Sequence, residues 1–194
     1  MQEDDDRRRS QSFYSLVVHK RHEPIGTLEN LIRMKIREYK YSDKEKCLEV
    51  FDSNFPKYFD ASERDLFATW LDHQSDPHSN YQSPTYSNSE KDAYYVIELG
   101  NEKIVGCAGF YIVKNEPEAR LAWGMIHSAY HKQGFGKAIY DHRVKAIKAL
   151  WPKHLITLGT SQHTFPFYQK MGMKIVATIK EGYGPTLDRY DMQQ

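Results

Sequence analysis

Two glycines one residue apart, Gly134 and Gly136, stand at the start of a long stretch with helical periodicity. The segment from Trp123 to Lys137 reads as a strand end, a polar turn and a helix opening. That arrangement suits an anion. Free backbone N–H groups at a helix N-terminus point outward, and the helix dipole favours negative charge there. Glycine lets a phosphate approach the backbone, and Lys132 and Lys137 add positive charge. The same Gly-x-Gly can also serve only to start a helix. The Gly-Lys-Ser/Thr of a P-loop is missing. The full dinucleotide fingerprint is missing too, because the preceding strand follows hairpin strands instead of opening a βαβ unit.

A second segment, Thr160 to Met173, reads on its own as a capped short helix packing Phe165, Phe167 and Tyr168 into a core. His127 and His131 are four apart, but on a turn, and no carboxylate completes a zinc-protease pattern. Cys107 lies in an interior strand and reads as a small core residue, and Trp123 also reads as core. No metal is expected.

The elements that position these segments follow from periodicity and breakers. Met34 to Tyr39 alternates as a half-buried strand. Ser42-Asp43-Lys44-Glu45 has capping-box spacing and opens a helix to about Asp52. Asp60 to Asp72 is expected to be a second helix, with Leu66, Phe67, Trp70 and Leu71 as its apolar stripe. Gln74 to Glu90 has no aliphatic residue and is expected to be a long loop. Tyr94–Leu99 and Ile104–Val113 form a hairpin. Ala119 to Ile126 follows as a strand with Ala119, Leu121, Trp123 and Met125 on one face. Gly134 to Leu150 is a helix ended by Pro152. Leu155–Leu158 is a short buried strand, and Thr164–Met171 a short helix closed by Gly172. Met173–Ile179 and Asp188–Met192 are closing strands. This order is that of a mixed α/β domain over 34–194.

Residues 1–33 carry six acidic and six basic side chains and no sustained apolar period. They are either an upstream extension ahead of an internal start at Met34, disordered or foreign to the domain, or an arm packing Leu28, Leu31 and Ile32 at helical spacing.

The chain has 194 residues, room for one good core. Lys and Arg number 27 against 26 Asp and Glu, a net charge of +1, which speaks against a dedicated nucleic-acid binder. Two cysteines cannot build a disulfide framework or a four-thiolate zinc site. No apolar run reaches the roughly 20 residues of a membrane span, and the N-terminus lacks a signal-peptide pattern. A cytoplasmic protein that binds neither nucleic acid nor membrane is expected.

Taken together, the two chemical segments resemble the GNAT superfamily of acyl-CoA N-acyltransferases. That family carries Arg/Gln-x-x-Gly-x-Gly/Ala at the turn into its main helix. It often carries aromatic-Tyr-x-x-x-Gly-aromatic near its C-terminus. Here the motifs read His131-Lys132-Gln133-Gly134-Phe135-Gly136 and Phe167-Tyr168-Gln169-Lys170-Met171-Gly172-Met173. The runs Leu121 to Ile126 and Gly182 to Met192 look similar to bacterial members. The resemblance covers about Met34 to Met192. His131 stands where the family has Arg or Gln, a small departure where backbone amides matter most.

The resemblance implies a GNAT-like, mostly antiparallel central sheet with helices on both faces. It implies an acetyltransferase that uses acetyl-CoA as co-substrate and an amine of a small molecule or peptide as acceptor. It is compatible with a homodimer. The pyrophosphate of CoA would sit on the N–H groups of His131, Lys132, Gln133, Gly134, Phe135, Gly136 and Lys137, with pantetheine beside Met125 and Ile126. An exposed N–H on that strand end would stabilise the oxyanion. Tyr168 matches the family tyrosine that protonates the leaving thiolate, or it holds the sulfur. A phenol is a slightly weaker acid than a thiol, so that transfer needs close positioning.

The general base stays open. Some members place a carboxylate on the strand before the glycine turn, where this chain has Arg120, which cannot accept a proton. Glu118, His127 and a water chain are the alternatives. Arg120 also motivates a second reading, a non-catalytic acyl-CoA-binding or sensor domain. A nucleotide-binding module is a third.

Overall fold

The structure is a computed structural model that describes residues 33–75 and 89–194. The segment 1–32 and most of the expected loop 74–90 lie outside these residues, so the readings of both do too.

Among the described residues seven strands form one sheet: β1 (Lys35–Glu38), β2 (Ser89–Leu99), β3 (Lys103–Val113), β4 (Glu118–Ile126), β5 (Leu155–Ser161), β6 (Lys174–Gly184) and β7 (Leu187–Gln193). Their order is β1-β2-β3-β4-β5-β7-β6. Every pairing is antiparallel except β4 with β5. Among the described residues four α-helices of more than one turn pack on it: α1 (Lys44–Asp52), α2 (Glu63–Ser75), α3 (Phe135–Leu150) and α4 (Phe165–Lys170). None of the described helices is long and apolar enough to cross a membrane.

The sheet carries cores on both faces. On one, Val50 and Phe51 of α1 and Phe67, Trp70 and Leu71 of α2 pack with Val96, Cys107 and Met125. On the other, Tyr140 and Ile147 of α3 pack with Phe110, Leu121, Ile156 and Leu158. Leu66, expected in the α2 stripe, is 52% exposed. The expected capping box is not formed: α1 starts after Asp43 without a side-chain cap, behind a one-turn 3-10 helix (Tyr41–Asp43). The Asp43 carboxylate, not Ser42, accepts the N–H of Lys40 at 2.9 Å while holding Arg37. Both cysteines are buried. A hydrogen bond between the two thiols and burial push the Cys47 thiol up, which fits a core role.

Two irregularities in β4 make the site. The register against β3 slips between Cys107↔Met125 and Gly109↔Ala122, so β4 carries one extra residue there. Trp123 adopts φ +44° in this bulge, and the Tyr94 hydroxyl donates to its carbonyl at 2.9 Å. The bulge overturns the expected single apolar face. Ala119 and Leu121 join the α3-side core, whereas Trp123 and Met125 pack with the α1–α2 core. A bulge adds a residue without a partner and shifts the alternation of everything beyond it.

Secondly, β4 and β5 pair only at Glu118↔Leu155, Ala119↔Ile156 and Arg120↔Thr157. Beyond these, β4 stays with β3 while β5 pairs with β7 from Thr157 to Ser161. The two parallel strands therefore part, and the gap between their ends opens through the sheet.

Candidate active site

A cavity of about 740 Å³ occupies this gap. That is the size of a pocket that buries most of a small ligand. Its walls come from both faces of the sheet. The α3 side contributes Gly134, Gly136, Arg143, Phe167 and Tyr168; the α1–α2 side contributes Tyr58, Phe59, Glu63, Arg120, Tyr183 and Arg189.

On the α3 side, the chain enters the helix through two left-handed residues, Lys132 (φ 61°) and Gly134 (φ 90°). A side chain at Gly134 would cost on the order of 1 kcal/mol in that conformation. The N–H groups of residues 132–137 make no hydrogen bond among the described residues. The first N–H bonded back is that of Ala138, to the Gly134 carbonyl. A Cβ at Gly136 would meet the Phe167 ring at 3.5 Å, an ordinary contact, so the turn is close to the wall of the cleft.

The expected cofactor residues divide. Met125, Ile126, His131, Lys132, Gly134, Gly136 and Lys137 line the cavity. Phe135 is buried in the core, and Gln133 donates to the Ala129 carbonyl at 3.2 Å, so neither side chain faces the cleft. The His131 N–H departs from the expected cradle, because it already donates to Ser128. Its Nε2 donates to the Ile126 carbonyl at 2.8 Å, as does Asn54 Nδ2. The His127 N–H donates to Val105 on β3, so by strand alternation the Ile126 N–H points away from β3, toward the gap.

At the bulge the two sides meet. A Cβ at Gly124 would lie 3.3 Å from both terminal nitrogens of Arg143 and 3.4 Å from the Tyr168 hydroxyl. Arg143 is 2% exposed. Its partners are carbonyls: Nη1 donates to Gly109 at 3.1 Å and Nε to Ile139 at 3.3 Å. Among the described residues it has no carboxylate partner. An unpaired buried cation is costly, and a place is commonly kept for its anion.

On the other side, Glu63 is the sole carboxylate among the lining residues. It closes a reciprocal cap at the start of α2. The Asp60 N–H donates to Glu63 Oε2 at 2.8 Å, while Asp60 Oδ1 accepts the Ser62 N–H at 2.9 Å. The other Glu63 oxygen stays open. Burial, helped by the charge of Asp60 and opposed by the backbone hydrogen bond, pushes the Glu63 carboxyl up to about 7. The turn after β6 packs on this corner; a Cβ at Gly184 would lie 3.0 Å from Asp60 Oδ2.

Neither side-chain base considered from the sequence lines the cavity. Glu118 Oε1 already accepts Arg120 Nε, Arg120 Nη2 and the Thr157 hydroxyl, at 3.0, 2.7 and 2.6 Å. The Nδ1 of His127 accepts the Ala129 N–H. In the sequence Glu63 stands only near the start of the stretch Asp60 to Asp72 expected as the second helix. The Asp60-x-x-Glu63 spacing was visible, but nothing in it says that the capping carboxylate faces a cleft. Among the described residues, no cluster of three His, Cys, Asp or Glu side chains could hold a metal ion.

Comparison with known proteins places this geometry. No curated protein sequence matches the chain. Among solved structures, a Desulfovibrio desulfuricans protein assigned to the GNAT family superposes with a TM-score of 0.65 at 17% identity, covering 83% of this chain and 98% of its own. Ard1 from Thermoplasma volcanium gives 0.61 at 18%, covering 84% and 97%. Spermidine N-acetyltransferase from Vibrio cholerae, in complex with CoA and spermine, gives 0.60 at 14%, covering 84% and 95%. At such identities these likenesses show the fold. The family description "Acetyltransferase (GNAT) family" matches residues 44–173, two-thirds of the chain and all of the glycine turn. The chain belongs to the GNAT acetyltransferase family.

Proposed function

We propose that this protein transfers the acetyl group of acetyl-CoA to an amine by direct attack on the thioester. The observation that carries the reading is the cleft through the sheet. A cradle of unbonded N–H groups opens on one face, a single carboxylate on the other, and both lead to Gly124. The N–H groups of residues 132–137, with Lys132 and Lys137, suit the pyrophosphate. The chemistry then needs three groups near the bulge.

Glu63 takes the proton that the ammonium must lose before it can attack. A carboxyl that titrates near neutral pH is matched to that task. As the nitrogen bonds to the carbonyl carbon, negative charge develops on the carbonyl oxygen, and the Ile126 N–H is placed to receive it. The C–S bond then breaks. Tyr168 gives its proton to the departing sulfur and regains one from solvent, to which the nitrogen loses its second proton as the amide forms; Arg143, beside Tyr168, stabilises the negative charge on that sulfur until it is protonated.

The sequence motive for a non-catalytic acyl-CoA binder was Arg120 in the place of a carboxylate. That motive weakens, because Glu63 brings a carboxylate from α2. The test is release of CoA thiol from acetyl-CoA over a panel of amines, with products identified by mass spectrometry. Amine-dependent thiol release with an acetylated product supports the reading. Tight acetyl-CoA binding without release, for any amine, would instead favour a binding or sensor domain.

A further inference from the structure

The acceptor side of the cleft carries a row of polar groups across one face of the sheet. Tyr111 on β3 is opposite Arg120 on β4, and Arg120 is level with Thr157 on β5. Further along, Gly159 is opposite Asp191, and Ser161 opposite Arg189, on β7. Arg120 and Arg189 line the cavity; the carboxylates that hold them, Glu118 and Asp191, do not. Glu118 takes Arg120 through Nε and Nη2, and Asp191 takes Arg189 through Nε at 2.7 Å. Both terminal nitrogens of Arg189 are without a hydrogen bond among the described residues.

Each carboxylate thus grips its arginine from the side; Arg189 keeps both terminal nitrogens for the cleft, while Arg120 also engages Thr157 and the Tyr111 hydroxyl. Between the two arginines Gly159 has no side chain. A Cβ there would lie 2.5 Å from the Tyr183 hydroxyl, 3.3 Å from Asp191 Oδ1 and 3.4 Å from Arg189 Nε, so the Tyr183 hydroxyl and the Asp191–Arg189 pair edge that hollow. Burial pushes the Tyr183 phenol well up, so it stays a neutral donor.

The charges and the donors ask for different groups. The two ion pairs cancel, which leaves the charge of Glu63 to face a cationic amine. The remaining guanidinium N–H groups ask for an acceptor, and a planar fork matches a carboxylate best. A polyamine offers only cations. It would need free carboxylates facing the cleft, and apart from Glu63 the nearby carboxylates, Glu118 and Asp191, are each already held by an arginine.

We propose that the acceptor is an amine with a carboxylate close to its nitrogen, of the α-amino acid class. Its nitrogen lies at Glu63 and its carboxylate on Arg120 and Arg189. This rests on the acetyltransferase reading above. The new N–C bond replaces the C–S bond; the ammonium gives one proton to Glu63 before attack and a second to solvent as the amide forms, while Tyr168 gives its proton to sulfur and regains one from solvent. The products are an N-acetyl amino acid and CoA.

The test uses the full chain, acetyl-CoA and three acceptor pools: the free proteinogenic amino acids, the same amino acids as α-carboxamides, and spermidine with putrescine. The free amino acids should be acetylated at least about tenfold faster than the other pools, the scale of a charge-assisted hydrogen bond. Arg120→Gln and Arg189→Gln should raise KM for the best amino acid by about ten- to a hundredfold. They should affect its carboxamide less, so the preference collapses. Arg189→Lys, which keeps the charge but not the fork, should restore only part of it. Melting curves show that each variant is folded.

Equal or faster acetylation of the carboxamides or polyamines overturns the proposal, as does an unchanged preference in both folded glutamine variants. Calorimetry with CoA separates the two levels. Failure of the wild type to bind CoA refutes the acetyltransferase reading itself. CoA binding without transfer to any amino acid refutes only the acceptor class.

Discussion

The two ends of the cleft are built in different ways. The α3 end comes from one continuous run, Trp123 to Lys137, with α4 added nearby. In the proposed function its working parts are backbone N–H groups, and side chains serve mainly to leave room for them. The acceptor end is assembled from Glu63 on α2, Arg120 on β4, Tyr183 on β6 and Arg189 on β7. Its working parts are side chains brought together by sheet order. A backbone site depends on local conformation, so it shows as a local motif. A side-chain site depends on topology, so it shows only once the strands are placed.

This contrast can be broken most severely at the glycine turn. Gly134→Glu puts a strained, negatively charged residue at the cradle, and CoA affinity should fall by about a thousandfold or more. Calorimetry on the folded variant checks it. A variant that binds CoA as the wild type does would remove the anion site from the account.

The next effect lies at the other end. Glu63→Gln should lower turnover by about a hundredfold, the scale of a lost general base. Wild-type turnover should rise with pH through about 7, because Glu63 must be ionised to accept a proton, and the variant should lose that step. Stability should run the opposite way. The folded state holds this proton more tightly than the ordinary 4.5 of an unfolded chain, so Glu63 costs stability as pH rises from 4.5 to about 7. Melting curves against pH should show the wild type losing ground to Glu63→Gln over that window.

How much was legible beforehand follows the same division. The element order and a mixed α/β class could be read from periodicity and breakers and the glycine turn from its local motif, whereas the mostly antiparallel sheet and an interest in Tyr168 came only with the family resemblance. The bulge at Trp123 could not. Alternation in Ala119 to Met125 looked unbroken because Trp123 and Met125 are apolar and find a core on the opposite face. The surroundings of Arg120 were hidden for a related reason. Its meaning depends on Glu118, Thr157 and Arg189, which only pairing across β5 and β7 brings to one face. Arg143 was invisible because a lone arginine in an amphipathic helix looks like a solvent-facing residue, yet it is buried.

Tyr168 and Arg143 sharpen the comparison where the two ends join. Tyr168→Phe removes only the hydroxyl beside Gly124; turnover should fall by about tenfold to a hundredfold with CoA affinity kept. Single-turnover rates and calorimetry on the same sample decide it, and unchanged turnover would make Tyr168 a packing residue. Arg143→Met should have the smaller effect, about tenfold on turnover, without loss of melting temperature, because removing an unpaired buried cation relieves its desolvation. A large drop in melting temperature with turnover intact would make Arg143 a brace for the bulge and nothing more.

The most direct measurement is CoA affinity, by calorimetry, in two folded variants side by side: Gly136→Glu and Glu63→Gln. If CoA is held by the N–H cradle of α3 and the acceptor by the opposite face, Gly136→Glu should show no measurable binding, while Glu63→Gln binds CoA within about twofold of the wild type. Wild-type affinity in Gly136→Glu, or its loss in Glu63→Gln, would contradict the division of the cleft on which the account rests.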